Sequence, residues 1–489
     1  MNPRTLAAGL AGAALLTTTL ALTPTAGADE LPPPSASPVS LRSADKVVTF
    51  AYRNRVYTDF GLRMVAGAEP FEIRATRASY DEPISTVWHR PSGDVALPPG
   101  TMDSFGGLDR FVDLTLTRVS NDQVVKRMSI DSCFNGFGGA RTRPDAPSRS
   151  PYPWGCPWNP YTVGSVMGIQ AGWSSPVLPE FGRPVRLGVG RYDVVATIDP
   201  AYAELFGIED EDASATTRLV VRSGDEGRRR PAARRTSETL TPAAASEPRR
   251  SSAGAMAPDG APDLQSLPAF DIQLNERGTA MRFAATVWNG GSGPLVVDGF
   301  RNGGEDHMDA YQYFYDADGN ETGYQEVGEF HFHGDNHQHW HFQDFARYRL
   351  LNADRTLAVK STKASFCLAN TDAVDYTLPN ADWQPENTDL SSDCGGPEAQ
   401  GLRQVLSNGS GDTYMQFRAG QAFRIANLAD GVYHIAVEAN PFGTLVEGSS
   451  TNNDSLRKVR IGTNERTGER WVRAARVGII DETMPRFFR

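Results

Sequence analysis

Apolar side chains recur at every second position in several short stretches. Val112, Leu114 and Leu116 alternate with polar neighbours, as do Met281, Phe283, Ala285 and Val287, and again Ile435, Val437 and Ala439. A period of two places alternate side chains on one face, the mark of a half-buried strand. Gly, Pro, Asn and Asp punctuate these stretches at short intervals, and no long segment repeats with the period of an amphipathic helix. The pattern predicts a mostly β chain built from sandwich-like sheets.

The pattern also occurs twice. Phe111 stands as far before Cys133 as Phe345 stands before Cys367. Gly190-x-Tyr192 runs through alternating apolar residues to Asp199-Pro200, and Gly431-x-Tyr433 runs at the same spacing to Asn440-Pro441. Met167-Gly168-Ile169 is echoed by Gln400-Gly401-Leu402. The common order predicts a diverged duplication: two β-sandwich-like domains, residues 29–220 and 261–465, followed by a C-terminal tail at 466–489.

Between them, residues 221–260 change character. Arg228-Arg229-Arg230, Arg234-Arg235 and Arg249-Arg250 sit among Ala, Ser, Pro and Thr with almost no large apolar residue. Such a stretch cannot offset its ordering entropy, so it reads as a disordered linker. Its basic clusters also fit a processing site that frees the second half.

The first 28 residues read as a secretory signal. Arg4 precedes an apolar run from Leu6 to Leu22, and Ala26-Gly27-Ala28 offers small residues for cleavage. No later stretch has the ~18 apolar residues of a membrane span. The expectation is a secreted protein, in which disulfides are permitted. Four cysteines allow three connectivities; their spacing favours Cys133–Cys156 and Cys367–Cys394, one in each half. Forty-eight basic against fifty-nine acidic residues give a net charge of -11. That balance argues against nucleic acid, which demands surplus cations, and suits a basic, lysine-rich partner.

The densest chemistry is a histidine cluster. Of eight histidines, five lie between His331 and His341. His337, His339 and His341 alternate with Gln338 and Trp340, so a strand would put them on one face, roughly 6.6 Å apart along the chain. Imidazoles suit copper, zinc, iron or nickel. His331 and His333 continue the alternation before Gly334 and are weaker candidates for the metal's surroundings.

His337-Gln338-His339-Trp340-His341 followed by Asp344-Phe345 resembles the copper-binding segment of the lysyl oxidase family. Lys363-Ala364-Ser365-Phe366-Cys367-Leu368 is similar to the segment carrying that family's cofactor lysine, and Gly411-Asp412-Thr413-Tyr414 to the one carrying its cofactor tyrosine. The resemblance spans residues 261–461, and three motifs in the family's order are far more specific than the histidines alone.

The resemblance implies a copper amine oxidase. His337, His339 and His341 would bind copper, and Lys363 and Tyr414 would be cross-linked into lysine tyrosylquinone. The implied reaction takes a primary amine, a peptidyl lysine for example, O2 and water to an aldehyde, ammonia and hydrogen peroxide. Asp344 and Asp412, both near the motifs, are equal candidates for the general base, and a carboxylate so placed is as often one that orients a metal ligand. Asp263, Glu447, Asn452 and Asn453 resemble the family's calcium site, although Ser449 stands where an acidic ligand is usual. Two rival readings remain: a copper-binding surface or storage protein without turnover, and a zinc hydrolase that leaves Lys363 and Tyr414 unexplained. In the first half, Asp103, Phe105 and Gly107 fall opposite the metal histidines, Ser129 opposite Lys363, and Trp173–Pro176 near Tyr414. That half is expected to be a non-catalytic, oxidase-like β domain.

Overall fold

The computed structural model describes residues 35–135, 138–178, 184–224, 256, 258–301, 306–333, 338–361, 363–384 and 392–482. The expected signal peptide, residues 225–255 and 257 of the expected linker, and His337 lie outside the described residues, while Val221 at the expected start of the linker is buried in the strand Ser214–Ser223. The chain is mostly β. Among the described residues the single α-helix is Pro200–Phe206. Asp199 caps its N-terminus by accepting from the Ala201 N–H, and Gly207, at φ 66°, ends it in the left-handed conformation.

The two halves share strand order. In the first, Val39–Ser43, Leu62–Ala66, Trp173–Pro176 and Ala140–Arg141 lie side by side. In the second, Leu264–Ser266, Ala280–Asn289, Ser410–Tyr414 and Asp372–Ala373 repeat that order. Likewise, Gly190–Ile198 lies between Leu108–Arg118 and Ser214–Ser223, as Gly431–Ala439 lies between Ala346–Asn352 and Asp454–Thr463.

Register agrees too. Val112 faces Ile198 as Ala346 faces Ala439. The Asp199 N–H donates to Phe111 O at 2.9 Å, and the Asn440 N–H to Phe345 O at 2.8 Å. The Tyr192 hydroxyl reaches back to Gly188 O at 2.9 Å, and the Tyr433 hydroxyl to Ala429 O at 2.8 Å. The repeated Gly-x-Tyr pattern therefore marks one tyrosine anchor used twice.

The halves part where the chemistry lies. The first half's sheet of Gly164–Ile169, Phe71–Thr76 and Ser85–His89 ends on the two-residue strand Val95–Ala96. Its counterpart, Gly401–Leu406, Leu295–Arg301 and His307–Tyr315, continues through Glu321–His333, His339–Gln343 and Ser365–Phe366.

The alternating positions fill the cores as expected: Val112, Leu114 and Leu116 are buried, as are Met281, Phe283, Ala285 and Val287. The strand Ala280–Asn289 departs from a half-buried pattern, because Ala284, Thr286 and Trp288 on its other face are buried as well. The first half covers that face. Tyr161 packs in one cluster with Leu267, Phe270, Ala284, Trp288, Val374 and Met415, with Tyr80 and Trp158 at its margin. Tyr152 and Val166 share a second cluster with Ala373 and Tyr376. Backbone bonds cross as well, from Val163 N to Val374 O at 2.8 Å and from Tyr376 N to Gly164 O at 3.1 Å. At Gly164 any side chain would collide with the Asp375 carboxylate. The C-terminal segment closes the same seam: Arg470–Ala474 pairs with Asp454–Thr463, and the Ile479 N–H donates to Tyr80 O at 2.9 Å.

Candidate active site

The strand His339–Gln343 follows Gln338, whose φ of 52° turns the chain into it, and precedes Asp344, whose φ of 59° turns it out. Alternation holds within it. Trp340 and Phe342 point into the core and are fully buried. Trp340 donates from Nε1 to Gly396 O at 2.9 Å, and the Arg301 guanidinium lies 5.1 Å from its ring centre. The opposite face carries His339 and His341, with His341 buried. Their Nε2 atoms lie 2.8 Å apart.

His333 faces His339 across the ladder, and its ring centre lies 4.4 Å from that of His341. Ser365 Oγ sits between them, 3.2 Å from His333 Nε2 and 3.3 Å from His341 Nδ1. His333, His339 and His341 are thus neighbours pair by pair, through ladder pairing, ring contact and the 2.8 Å approach of two Nε2 atoms. His331, the other weaker candidate, pairs instead with the exposed Glu329. Among the described residues no group of three or more His, Cys, Asp or Glu side chains converges as a metal-holding set. The donors present nevertheless fit copper: facing imidazole nitrogens on one strand are ligands of the right softness.

The lysine and tyrosine motifs meet beside this cluster. Lys363 Nζ lies 4.3 Å from the centre of the Tyr414 ring and 4.8 Å from that of Phe366. It donates to Ser365 O at 2.9 Å. The Tyr414 hydroxyl donates to Cys367 O at 3.0 Å and accepts from the Cys367 N–H at 2.8 Å. Cys367 is fixed by its disulfide to Cys394, and Cys133 is joined to Cys156, so both expected bridges are present. Gly420, at φ 83°, brings its backbone against Lys363; a Cβ there would stand 3.1 Å from Lys363 Cβ. Its carbonyl accepts from Ser361 Oγ at 2.8 Å, and that oxygen accepts from the Lys363 N–H at 3.2 Å.

Burial shapes the protonation of this pair. Desolvation lowers the Lys363 pKa to about 8, with the nearby Arg418 acting in the same sense and the Asp412 charge opposing it. Asp412 is buried, and desolvation pushes its carboxyl well above the usual range against the pull of Lys363. Its Oδ2 has no hydrogen-bond partner among the described residues. Burial first, and then the Asp412 charge, raise the Tyr414 phenol well above its ordinary value. Asp344 is exposed in the turn after the histidine strand, with its N–H donating to Ala364 O at 2.8 Å.

The four residues of the expected calcium site also come together. Glu447 accepts from the Leu264 N–H and from Asn453 Nδ2, at 3.0 and 2.8 Å, and Asp263 Oδ2 accepts from Asn452 Nδ2 at 2.8 Å. Asp263 Oδ1, Asn452 Oδ1 and Asn453 Oδ1 are buried and have no partner among the described residues. Three orphaned oxygens, one of them on the Asp263 carboxylate, beside the Glu447 carboxylate fit a hard cation. Desolvation, aided by the Asp263 charge, raises the Glu447 pKa.

Sequence reasoning did not find Ser365, Gly420 or the Cys367 backbone as parts of the site. The first two stood in the text beside recognisable motifs, but their roles depend on which strands meet. Along Tyr414's strand, Asp372 completes a hydroxyl cluster by accepting from Thr413 Oγ1 at 2.8 Å. Burial pushes its carboxyl up to about 6, while bonds from Thr371, Thr413 and Asn159 act against that shift.

A lysine amine is thus held over a partly buried phenol, beside a strand that carries two histidines. The family model for lysyl oxidase matches residues 321–467, so the C-terminal part of the chain carries a lysyl oxidase domain. Comparison with curated proteins gives no match.

Proposed function

We propose that the protein is a secreted, copper-dependent oxidase of primary amines, peptidyl lysine included, with a lysine tyrosylquinone made from Lys363 and Tyr414. The observation that carries this reading is the Lys363 amine 4.3 Å from the Tyr414 ring centre. His339 and His341 would hold copper together with His337, and His333 stands close enough to take part. Copper and the quinone would supply the electron sink that ordinary side chains lack. Asp263, Glu447, Asn452 and Asn453 would hold calcium.

The chain's own contribution is positioning and proton control. Ser365 O and the Gly420 backbone hold the lysine over the ring. Desolvation keeps a useful fraction of the amine unprotonated, as its addition to an oxidised ring requires. The Cys367 backbone grips the phenol at both its donor and its acceptor side. In this reading Asp412, rather than Asp344, is the group that moves the proton, because it is buried and electrostatically coupled to both members of the pair. A buried carboxyl whose pKa is raised holds a proton more readily than an exposed one, as a group that takes and returns a proton must.

The deciding experiment is mass spectrometry of the aerobic, copper-loaded protein after proteolysis. The Lys363 and Tyr414 peptides are expected as one cross-linked species, and a lysine-containing peptide should yield hydrogen peroxide. His339→Ala, Lys363→Arg and Tyr414→Phe should each abolish that yield. Asp412→Asn should slow turnover by roughly 10²- to 10⁴-fold, and Asp344→Asn far less. Recovery of both peptides free and unmodified would leave a copper-binding protein without turnover.

A further inference from the structure

The strand Ser410–Tyr414 is held from two sides. Tyr414 packs against the core of the second half and faces Lys363. Thr413, its neighbour, points the other way because successive strand residues alternate. There it meets a side chain from the first half. Asn159 Oδ1 accepts from the Tyr161 N–H at 2.9 Å, which directs Nδ2 toward the seam. Nδ2 donates to Thr286 Oγ1 at 2.9 Å and, more weakly, to Thr413 Oγ1 at 3.4 Å. The two threonine hydroxyls lie 2.6 Å apart, and Thr413 Oγ1 donates onward to Asp372 Oδ1. Donors and acceptors run in one direction, from the amide through Thr286 and Thr413 to the carboxylate. Asn159, Thr286, Thr413 and Asp372 are all buried, so each of these bonds is made without water.

The same strand is gripped at its edge. Asp372–Ala373 pairs with Gly411 and Ser410, and the Thr162 hydroxyl of the first half donates to Ala373 O at 2.9 Å.

We propose that Asn159 is a positioning residue for Tyr414: the first half, through this amide, fixes the face of the tyrosine strand opposite the Lys363–Tyr414 pair. The first half is then a built-in brace for the site. The functional meaning of the brace rests on the reading of Tyr414 given above, whereas its physical existence does not.

Two variants separate the brace from a merely local turn. Asn159→Ala removes both ends of the amide. Asn159→Asp keeps the oxygen that accepts from Tyr161 but replaces the donor to Thr286 and Thr413. Hydrogen exchange of the full-length, metal-free chain, followed by mass spectrometry, reads the strand directly. Exchange across Ser410–Tyr414 is expected to rise roughly tenfold in both variants, with the strand Leu62–Ala66 unchanged. Unchanged exchange at Ser410–Tyr414 in both, or a change in Asn159→Ala alone, would overturn the proposal. Thr286→Val, which deletes the receiving hydroxyl with little change of shape, should reproduce the effect and serves if Asn159→Asp does not fold. With copper and O2, the wild-type chain should build its quinone faster than either variant at equal copper content. A wild-type chain that builds none would sink the oxidase reading alone, and the exchange data would still decide the role of Asn159.

Discussion

Lys363 sets the pH at which the site can assemble. Its amine is half-buried, and desolvation brings its pKa down to about 8. Below that pH the ammonium predominates and has no lone pair to add to the ring; above it the amine is free. Cross-link formation in the copper-loaded, aerobic protein should therefore accelerate as pH rises from about 7 to about 9, with its midpoint near the lowered pKa. An ordinary exposed lysine would place that midpoint above pH ~10. The check is the rate of appearance of phenylhydrazine-reactive quinone across that range. Lys363→Arg should give none at any pH, because the guanidinium stays protonated throughout. A rate that is flat between these limits would mean that deprotonation of Lys363 does not govern the step.

At the scale of elements, two loops and a strand depend on one another through a set of oxygens. Asp263 precedes Leu264–Ser266, while Glu447, Asn452 and Asn453 lie in the connection between Gly431–Ala439 and Asp454–Thr463. Orphaned buried oxygens destabilise a fold unless a cation or water satisfies them. Calcium is therefore expected to raise the melting temperature, and a chelator to lower it. Bound at a hundredfold excess over its Kd, one ion would add about 2.7 kcal/mol. Asp263→Asn should remove most of the calcium response; a melting temperature insensitive to both ion and chelator would exclude the site. The sequence allowed this cluster to be named only through a resemblance, since Asp263 and Glu447 are far apart in the chain. The histidine strand was easier, because its alternation is local: His339 and His341 share a face simply by being two residues apart. His333 was ranked low because Gly334 interrupts the run, yet ladder pairing returns it opposite His339. Asp344 and Asp412 both stand beside motifs in the sequence; what separates them is burial, since Asp344 is exposed whereas Asp412 is buried and acts electrostatically on Lys363 and Tyr414. The duplicated tyrosine anchors were legible because both copies keep their spacing. The burial of Thr286 was not, since only the docking of the first half covers that face.

For the whole molecule, the consequence concerns the Arg-rich segment between the halves. A processing site there suggests release of the second half, as from a pro-region. The seam argues otherwise. Cutting the chain removes only covalent continuity, and the effective concentration that such continuity supplies is of roughly millimolar order, equivalent to about 4 kcal/mol. Against that stand Tyr161, Trp288, Phe270, Val374 and Met415 in one shared cluster. Each large apolar side chain kept from water contributes roughly 1.5–3 kcal/mol. Arg457 adds a buried bond to the Tyr161 hydroxyl at 2.8 Å and an ion pair with Glu482, so strand, first half and C-terminal segment meet at one point. The nicked protein should therefore remain a single complex. The measurement is gel filtration after cleavage at a specific protease site placed between Arg235 and Arg249, with denaturing electrophoresis to confirm the cut. Co-elution of both fragments in dilute buffer, and separation only in denaturant, is the expected result. Arg457→Met should weaken that association, since it leaves the Tyr161 hydroxyl and the Glu482 carboxylate without their cation. Separate elution of the intact-sequence fragments at micromolar concentration would make the first half a removable pro-region, and cleavage would then be a step in activating the second.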